Sequence, residues 1–197
     1  MKHPVEYTRL IERTLAGSRE AFAELYEATV HDVYQTVRFF VSVPSDAEDV
    51  VQEIYLEVHR SLGRFDLGRP FRPWLMGVAM RQIKAHRRKG WRQFRILEKA
   101  GAGSRLVEEE DIARKVVERL SNRPLLDSVH ALSFKLQQVV ILHYGQECSQ
   151  EEIAAILGIP PGTVKSRIHA ALQKLRRKHR ADTIAIGKVE DLHESGI

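Results

Sequence analysis

The chain has 197 residues, of which 43% are hydrophobic and 29% are charged, and its formal net charge is +5. This composition is typical of a soluble globular protein with one or two small domains, and it excludes disorder along the whole chain. Arg81 to Lys99 carries a net +7 and Thr163 to Arg180 carries another +7, so the remaining residues together carry −9. Two separate basic stretches predict two contacts with a polyanion, and the acidic remainder is free to meet a basic surface.

Cysteine content and hydropathy exclude further classes. The single cysteine, Cys148, cannot form an internal disulfide or a thiolate zinc site, and we interpret it as a packed thiol. The N-terminus has no apolar signal core, and the longest aliphatic run, Val139 to Leu142, is far too short to span a bilayer. We therefore expect a cytoplasmic protein without membrane insertion.

The N-terminal third predicts two amphipathic helices, from Val5 to Leu15 and from Arg19 to about Val41, separated by Gly17 and Ser18. In the second of these helices, apolar residues recur at a spacing of three and four residues. The residues expected to face the core are Phe22, Leu25, Tyr26, Val30, Val33, Val37 and Phe40.

Pro44 is expected to end that unit, and Ser45 with Glu48 has the spacing of a capping box that starts a third helix running to about Leu62. Its inward face is apolar. Its outward face is largely acidic and suited to docking a basic partner. The inward residues are Ala47, Val50, Val51, Ile54, Val58 and Leu62, and the outward residues are Asp49, Gln52, Glu53, Glu57 and Arg60.

Gly63 to Pro70 is rich in glycine and charge and predicts a loop. A helix is expected from Phe71 to Lys89, and we interpret its Trp74 as a core residue that shapes the loop. Gly101 to Ser104 predicts a flexible break, and the weakly amphipathic helix after it is expected to end near Leu120. The apolar pattern of a second domain then includes Leu126, Val129, Leu132, Leu136, Val139, Val140 and Leu142.

Ser149 to Arg177 predicts a helix, a tight turn and a second helix. Ser149 and Glu152 have capping-box spacing, and Gly158 with the two following prolines predicts the turn. The first helix is expected to bury Ile153, Ile156 and Leu157. The second is expected to bury Val164, Ile168, Ala171, Leu172 and Leu175 and to expose Thr163, Ser166, Arg167, Ala170 and Gln173.

This layout is that of a helix-turn-helix that reads DNA, in which residues at the start of the second helix contact bases and later cations contact phosphates. The alternative is an amphipathic hairpin with a solvated cationic face. Thr163 to Arg180 contains seven lysines and arginines and no acid, which favours DNA binding.

Four sequence segments, in this order along the chain, are together typical of one protein family. They are AFAELYEATVHDVY from Ala21, DAEDVVQEIYLEVHRSLGRF from Asp46, FRPWLMGVA from Phe71, and QQVVILHYGQECSQEEIAAILGIPPGTVKSRIHAALQKLRR from Gln137. With them the chain resembles the extracytoplasmic-function (ECF) sigma factors of bacterial RNA polymerase over about Ser18 to Arg95 and Leu125 to Lys178.

The resemblance implies three binding surfaces. Asp49, Gln52 and Glu53 would dock on the clamp of the core polymerase. Strand opening and contacts at the minus-ten promoter element would fall to Arg64, Arg69, Arg72, Arg81, Lys84, Arg87 and Arg88. Recognition of the minus-thirty-five element would fall to Thr163, Lys165, Ser166, Arg167, His169, Lys174 and Arg177.

The resemblance also implies an organisation. Residues 1–97 would form a sigma region 2-like domain, 98–121 a flexible linker, 122–180 a sigma region 4-like helix-turn-helix domain, and 181–197 a C-terminal tail. The expected partners are bacterial core RNA polymerase and promoter DNA, and the resemblance allows an anti-sigma factor. No catalytic residue, metal site or cofactor is expected.

Two other classes of protein share some of these features. A response-regulator transcription factor can end in a phrase like GTVKSRI, but it needs a receiver domain of alternating strands and helices, and residues 1–120 predict helices only. A metal-dependent nuclease could use the acidic cluster around Asp46 to Glu57, since carboxylates bind Mg²⁺. However, Asp49, Glu53 and Glu57 lie in one row along a single helix, and an acidic helix face is far more often solvated or docking.

Overall fold

The structure is a computed structural model that describes the backbone of residues 4–99 and 123–194, and side chains within 7–92, 95 and 125–178. All regular elements in these residues are helical, which confirms the predicted all-α fold. The chain divides into two compact units, the first containing the helices up to Lys99 and the second most of the helices from Arg123 onward. Of the predicted linker and the helix expected to end near Leu120, residues 100–122 lie outside the described residues.

The first unit contains helices α1 (Pro4–Leu15), α2 (Arg19–Phe40) and α3 (Pro44–Ser61), a 3-10 turn (Leu62–Arg64), and α4 (Phe71–Lys99). After α1, Gly17 has a φ of +97°, and the N–H of Ser18 donates to the carbonyl of Arg13 at 3.0 Å. This pattern closes a helix on a glycine. Ser18 then caps α2, because its Oγ accepts from the N–H of Ala21 at 3.1 Å. The predicted break at Gly17 and Ser18 is confirmed.

The core of the first unit lies where α2 packs against α1, α3 and α4. Thr29 occupies an interior position of α2, where its hydroxyl donates to the carbonyl of Leu25 at 2.7 Å and bonds the hydroxyl of Tyr55 at 2.8 Å. Tyr26 was expected to face the core but is 39% exposed, because the buried stripe runs through Leu25, Thr29 and Val33 and leaves Tyr26 at its edge. Fully buried side chains include Leu25, Val33, Val37, Val50, Ile54, Leu75, Val78 and Ile83.

The start of α3 differs from the prediction. The capping box at Ser45 and Glu48 is wrong, because the helix already begins at Pro44 and its N-cap, Val43, makes no side-chain capping hydrogen bond. Proline is favoured at the first helical position, since its φ is already helical and it lacks an N–H that would go unpaired. The acidic outward face of the helix is unaffected by this shift.

Helix α4 also differs, because it continues through Gly90 to Lys99 and does not end at Lys89. A glycine inside a helix costs about 1 kcal/mol relative to alanine. The residues that follow it include arginine, glutamine and leucine, which are among the strongest helix formers, and the helix continues across the glycine.

The second unit contains α5 (Arg123–His130), α6 (Phe134–Val140), a π-helical turn (Ile141–Gly145), α7 (Gln150–Leu157) and α8 (Pro161–Glu194). Gln137 is buried, and its Nε2 donates to the carbonyl of His130 at 2.7 Å, which ties α6 to the end of α5. Leu126 belongs to the predicted apolar pattern of this domain but is 38% exposed. The other predicted apolar residues are buried, namely Val129, Leu132, Leu136, Val139, Val140 and Leu142.

Two hydrogen bonds position the start of α7. The N–H of Cys148 donates to the carbonyl of Leu142 at 2.9 Å, and Nδ1 of His143 lies 2.9 Å from the carbonyl of Cys148. Cys148 is buried, as the sequence predicted. The capping box is confirmed, since the N–H of Glu152 donates to Ser149 Oγ at 3.1 Å and the N–H of Ser149 donates to Glu152 Oε2 at 2.8 Å.

The turn between α7 and α8 follows the predicted chemistry. Gly158 has a φ of +63°, and the N–H of Ile159 donates to the carbonyl of Ala154 at 3.1 Å. The carbonyl of Pro160 then accepts from the N–H groups of Thr163 at 2.9 Å and Val164 at 3.2 Å, which starts α8. None of the described helices is long and apolar enough to cross a membrane.

Candidate functional site

The outward face of α3 exposes Asp49, Gln52 and Glu53, as the sequence predicted. It also exposes Leu56, whose side chain is 56% accessible. Sequence reasoning missed Leu56, although its position seven residues after Asp49 and three after Glu53 places it on the same helical face. This acidic face therefore combines apolar area that a partner can bury with carboxylates that can orient a basic partner.

An aromatic cluster supports the loop between α3 and α4. The ring of Phe65 lies 5.6 Å from that of Phe71 and 5.0 Å from that of Trp74, and the rings of Phe71 and Trp74 are 5.7 Å apart. Phe65 and Phe71 are buried, and Trp74 is half-buried. The contacts agree with the prediction that Trp74 shapes the loop, but Trp74 is half-buried and is not part of the fully buried core as predicted.

Asp66 organises the turn within this loop. Its Oδ1 accepts from the N–H of Gly68 at 2.9 Å, and its Oδ2 lies 3.2 Å from Nε of Arg69. The side chain of Arg69 is nevertheless 76% exposed, so it is free to exchange Asp66 for another anion. Arg64 is also exposed, at the end of the 3-10 turn.

Arg72 is held differently from the other predicted minus-ten cations. Its Nη2 forms an ion pair and hydrogen bond with Oδ2 of Asp32, which joins the first turn of α4 to the middle of α2. Both side chains are 37% exposed. The sequence could not predict that Asp32 pairs with Arg72, because the two residues are 40 positions apart.

The remaining predicted cations of the first unit lie along α4. Arg81, Lys84 and Arg88 are exposed, whereas Arg87 is half-buried on another side of the helix. The guanidinium of Arg81 lies over Gly77, since a Cβ added there would be 3.5 Å from Nη1 of Arg81. The helix thus brings Arg81, Lys84 and Arg88 to one surface and separates Arg87 from them.

Helix α8 presents the predicted minus-thirty-five residues. Val164, Ile168 and Ala171 are buried and Leu172 and Leu175 half-buried, which confirms the predicted inner face. The exposed predicted residues are Lys165, Ser166, His169, Lys174 and Arg177, and those half-buried are Thr163 and Arg167.

The length of α8 separates these residues into two groups. At about 1.5 Å per residue, Arg177 lies roughly 21 Å along the helix from Thr163. Ser166 Oγ donates to the carbonyl of Thr163 at 3.0 Å, so its hydroxyl oxygen still has free lone pairs. The first turns and the distal cations can therefore meet different parts of a DNA duplex.

Within residues 7–92, 95 and 125–178, no three histidine, cysteine, aspartate or glutamate side chains converge in a way that could hold a metal ion. The acidic face of α3 is a single row on one helix.

Two family models match the chain in regions that correspond to the two units. Sigma-70 region 2 matches residues 25–93, and Sigma-70 region 4 matches residues 122–175. The first match covers most of α2 through α4, and the second covers α5 through the first half of α8. The fold and the two matches together define the class of protein: a sigma-70-type transcription initiation factor.

Comparison with known proteins narrows this class. The chain is 31% identical over 173 residues to the ECF RNA polymerase sigma factor BldN of Streptomyces coelicolor, covering 85% of this chain and 64% of BldN. It is 30% identical over 178 residues to the ECF RNA polymerase sigma factor SigW of Bacillus subtilis, covering 86% of this chain and 95% of SigW.

A solved structure agrees with these relatives. The structure of CnrH in complex with the cytosolic domain of CnrY superposes with a TM-score of 0.68 and 25% identity, over 90% of this chain and 99% of CnrH. A CnrH from Cupriavidus metallidurans is an RNA polymerase sigma factor. The chain belongs to the ECF sigma factors, and it acts with RNA polymerase in transcription initiation.

Proposed function

We propose that the first unit docks on core RNA polymerase through the acidic face of α3, formed by Asp49, Gln52, Glu53 and Leu56. The single observation that supports this most strongly is the exposure of three polar side chains and a leucine on one helix whose other side is buried. The clamp of the polymerase would supply the basic partner surface. The buried side of α3 keeps the helix fixed while the partner binds.

The same unit contacts the minus-ten element through the loop and α4. The aromatic cluster holds the loop in one shape, and Asp66 keeps the guanidinium of Arg69 beside its turn. Phosphates of the opened strand would meet the exposed cations of the loop and helix. These are Arg64, Arg69, Arg81, Lys84 and Arg88, with Arg72 and Arg87 in supporting positions.

The second unit reads the minus-thirty-five element with α8 in the major groove. Lys165, Ser166 and Arg167 lie near the start of the helix, where recognition helices contact base edges. Thr163 and His169 complete that surface. Lys174 and Arg177 lie farther along and would meet phosphates, which fix register without reading sequence.

We further propose that the chain acts only by binding, with residues 1–97 and 122–180 as its two working domains. Its place of action is the cytoplasm, where polymerase and promoters meet. CnrH was solved with the cytosolic domain of a second protein, CnrY. That complex supports a regulatory partner of the anti-sigma type for this chain as well.

Run-off transcription with purified core polymerase on a library of randomised upstream sequences tests the proposal. The expected result is selection of two separated promoter elements. The second unit recognises the upstream element, and the first unit recognises the downstream one. Variants of α8 should alter only the upstream element, and variants of the loop only the downstream one. Transcription that is equally efficient from all sequences would contradict it.

A further inference from the structure

Trp91 is the most exposed large hydrophobic side chain among the described residues, with 67% of its surface accessible. It lies in the distal half of α4, after the glycine that fails to end this helix. An indole that remains in water leaves apolar area that a ligand can bury. None of the binding surfaces proposed above includes Trp91.

The neighbours of Trp91 on the helix surface are cations. Lys84, Arg88 and Arg95 lie seven and three residues before it and four residues after it, so all three share its face, and all are exposed. From Arg81 to Leu97 the sequence contains no acidic residue. The indole therefore stands within a basic stripe along one side of the helix.

We propose that Trp91 stacks on a nucleobase of promoter DNA that becomes accessible when the strands separate, while the flanking cations bind the adjacent phosphates. This inference rests on the proposed role of α4 at the minus-ten element. An aromatic ring with a basic groove is the usual arrangement for single-stranded DNA, because every base has a face for stacking. Bases inside an intact duplex have both faces covered, so this contact discriminates open from closed DNA.

A protein partner fits this face less well. Protein interfaces bury a continuous apolar centre surrounded by a polar rim. The α4 face offers one indole beside Lys84, Arg88 and Arg95, all of them exposed. The described charges beside this ring, from Lys84 to Arg95, are all positive, and Glu98 is the first acid along the helix after it. A single ring in this setting complements a polyanion with stacked bases better than a protein surface.

The position of Trp91 separates this contact from the loop. Trp91 lies twenty positions after Phe71 on the helix, which corresponds to roughly 30 Å at about 1.5 Å per residue. That length equals about nine base-pair steps of duplex DNA at 3.4 Å each. Trp91 would therefore meet a different nucleotide from any base held beside the loop.

The test measures binding of holoenzyme, reconstituted with core polymerase, to three probes: a promoter duplex kept closed at low temperature, the same promoter with an unpaired minus-ten region, and that probe with 2-aminopurine placed at successive positions. The variants are Trp91→Ala and Trp91→Phe. Tyr144→Ala is the matched control, because Tyr144 is an aromatic residue of the second unit with 57% exposure.

We expect Trp91→Ala to weaken binding to the unpaired probe roughly tenfold, which corresponds to the loss of one stacked base. Trp91→Phe should retain most of the affinity, and Tyr144→Ala should match the parent. One 2-aminopurine position should become brighter in Trp91→Ala alone. Binding of all variants to the duplex probe and to core polymerase should be unchanged, and so should their melting temperatures.

Three results would overturn the inference. Unchanged binding to the unpaired probe would leave Trp91 without a role in DNA binding. Equal loss on duplex and unpaired probes would show that it does not recognise accessible bases, and loss of core polymerase affinity would show that it contacts protein. Failure of the proposed function has a different signature, because the parent holoenzyme itself would then bind the promoter probes no better than core polymerase alone.

Discussion

The two units distribute their exposed charge differently. In the first unit, the acidic face of α3 and the basic stripe of α4 lie on separate helices of one packed core. Residues 161–178 of α8 in the second unit carry cations without any acid. A unit with two faces of opposite charge can bind a basic protein surface and DNA at the same time, whereas a unit with one cationic helix is suited to binding DNA.

The cations of the two units are also held differently. In the first unit, Arg72 pairs with Asp32, and Arg69 pairs with Asp66. Among the described residues of α8, neither Arg167 nor Arg177 forms an ion pair. In the proposed complex, Arg69 would exchange Asp66 for a phosphate and Arg72 would keep its supporting position beside Asp32, whereas Arg167 and Arg177 would bind DNA without giving up an ion pair. Four predictions test these differences.

The largest expected effect is on polymerase binding by the first unit. The double reversal Asp49→Lys and Glu53→Lys should weaken holoenzyme formation by about 3 kcal/mol, roughly 100-fold, because two exposed carboxylates would become cations facing a basic partner. The melting temperature should not change. Glu12→Lys with Glu27→Lys is the matched control, since these acids are exposed on α1 and α2. Equal losses for both pairs would mean that only net charge matters.

The next effect divides α8 itself. Arg167→Ala should relax preference at one or two positions of the minus-thirty-five element, because a guanidinium that bonds a guanine edge contributes about 1–3 kcal/mol of discrimination. Arg177→Ala should weaken all promoters alike and lower the salt dependence by about one counterion. Selection from a randomised minus-thirty-five library by each mutant holoenzyme separates these outcomes. A changed preference in Arg177→Ala with the parental preference in Arg167→Ala would reverse our placement of the helix.

Local sequence signals predicted most of the helices, including both helices of the helix-turn-helix. The capping box at Ser149 and Glu152 was predictable, because both partners lie within one turn. A similar signal at Ser45 and Glu48 failed, since Pro44 provides an earlier helix start. The spacing rule finds candidate caps, and the residues before them decide which one is used.

Contacts between distant segments could not be predicted in this way. The ion pair of Arg72 with Asp32 and the hydrogen bond of Tyr55 with Thr29 each join residues from different helices. Hydrophobic periodicity predicted that Tyr26 of α2 faces the core, whereas Thr29 occupies the interior position. Periodicity counts apolar residues only, so it cannot recognise a threonine whose hydroxyl bonds a backbone carbonyl. The exposed Leu56 was missed for the opposite reason, since it is apolar on a polar face.

The third prediction concerns the backbone that aims α8. Gly158→Ala should destabilise the second unit by about 1–2 kcal/mol, because Gly158 has a φ of +63° that residues with a Cβ disfavour. Gly162→Ala is the matched control: a Cβ meets nothing within 4 Å at either glycine, but Gly162 lies in α8 without a positive φ. It should be neutral or stabilising by up to about 1 kcal/mol. Hydrogen exchange of α7 and α8 amides measures both, and equal effects would remove the conformational explanation.

The smallest expected effect concerns alkaline stability of the first unit. Burial raises the pKa of Tyr55 above its ordinary value of 10.0. The folded protein therefore keeps this phenol neutral while the unfolded chain ionises. Its contribution to stability is complete below about pH 10 and is lost as the pH rises above that value.

Tyr55→Phe cannot ionise, so it should lose less stability than the parent between pH 9 and pH 11, by about 1 kcal/mol. At neutral pH it should be less stable by about 1 kcal/mol, because the hydrogen bond to Thr29 is gone. Urea unfolding across this pH range measures both effects. Tyr144→Phe, at an exposed position of the second unit, should follow the parent curve. If Tyr55→Phe also follows it, the buried phenol does not link folding to pH, and the first unit is no more sensitive to alkali than the second.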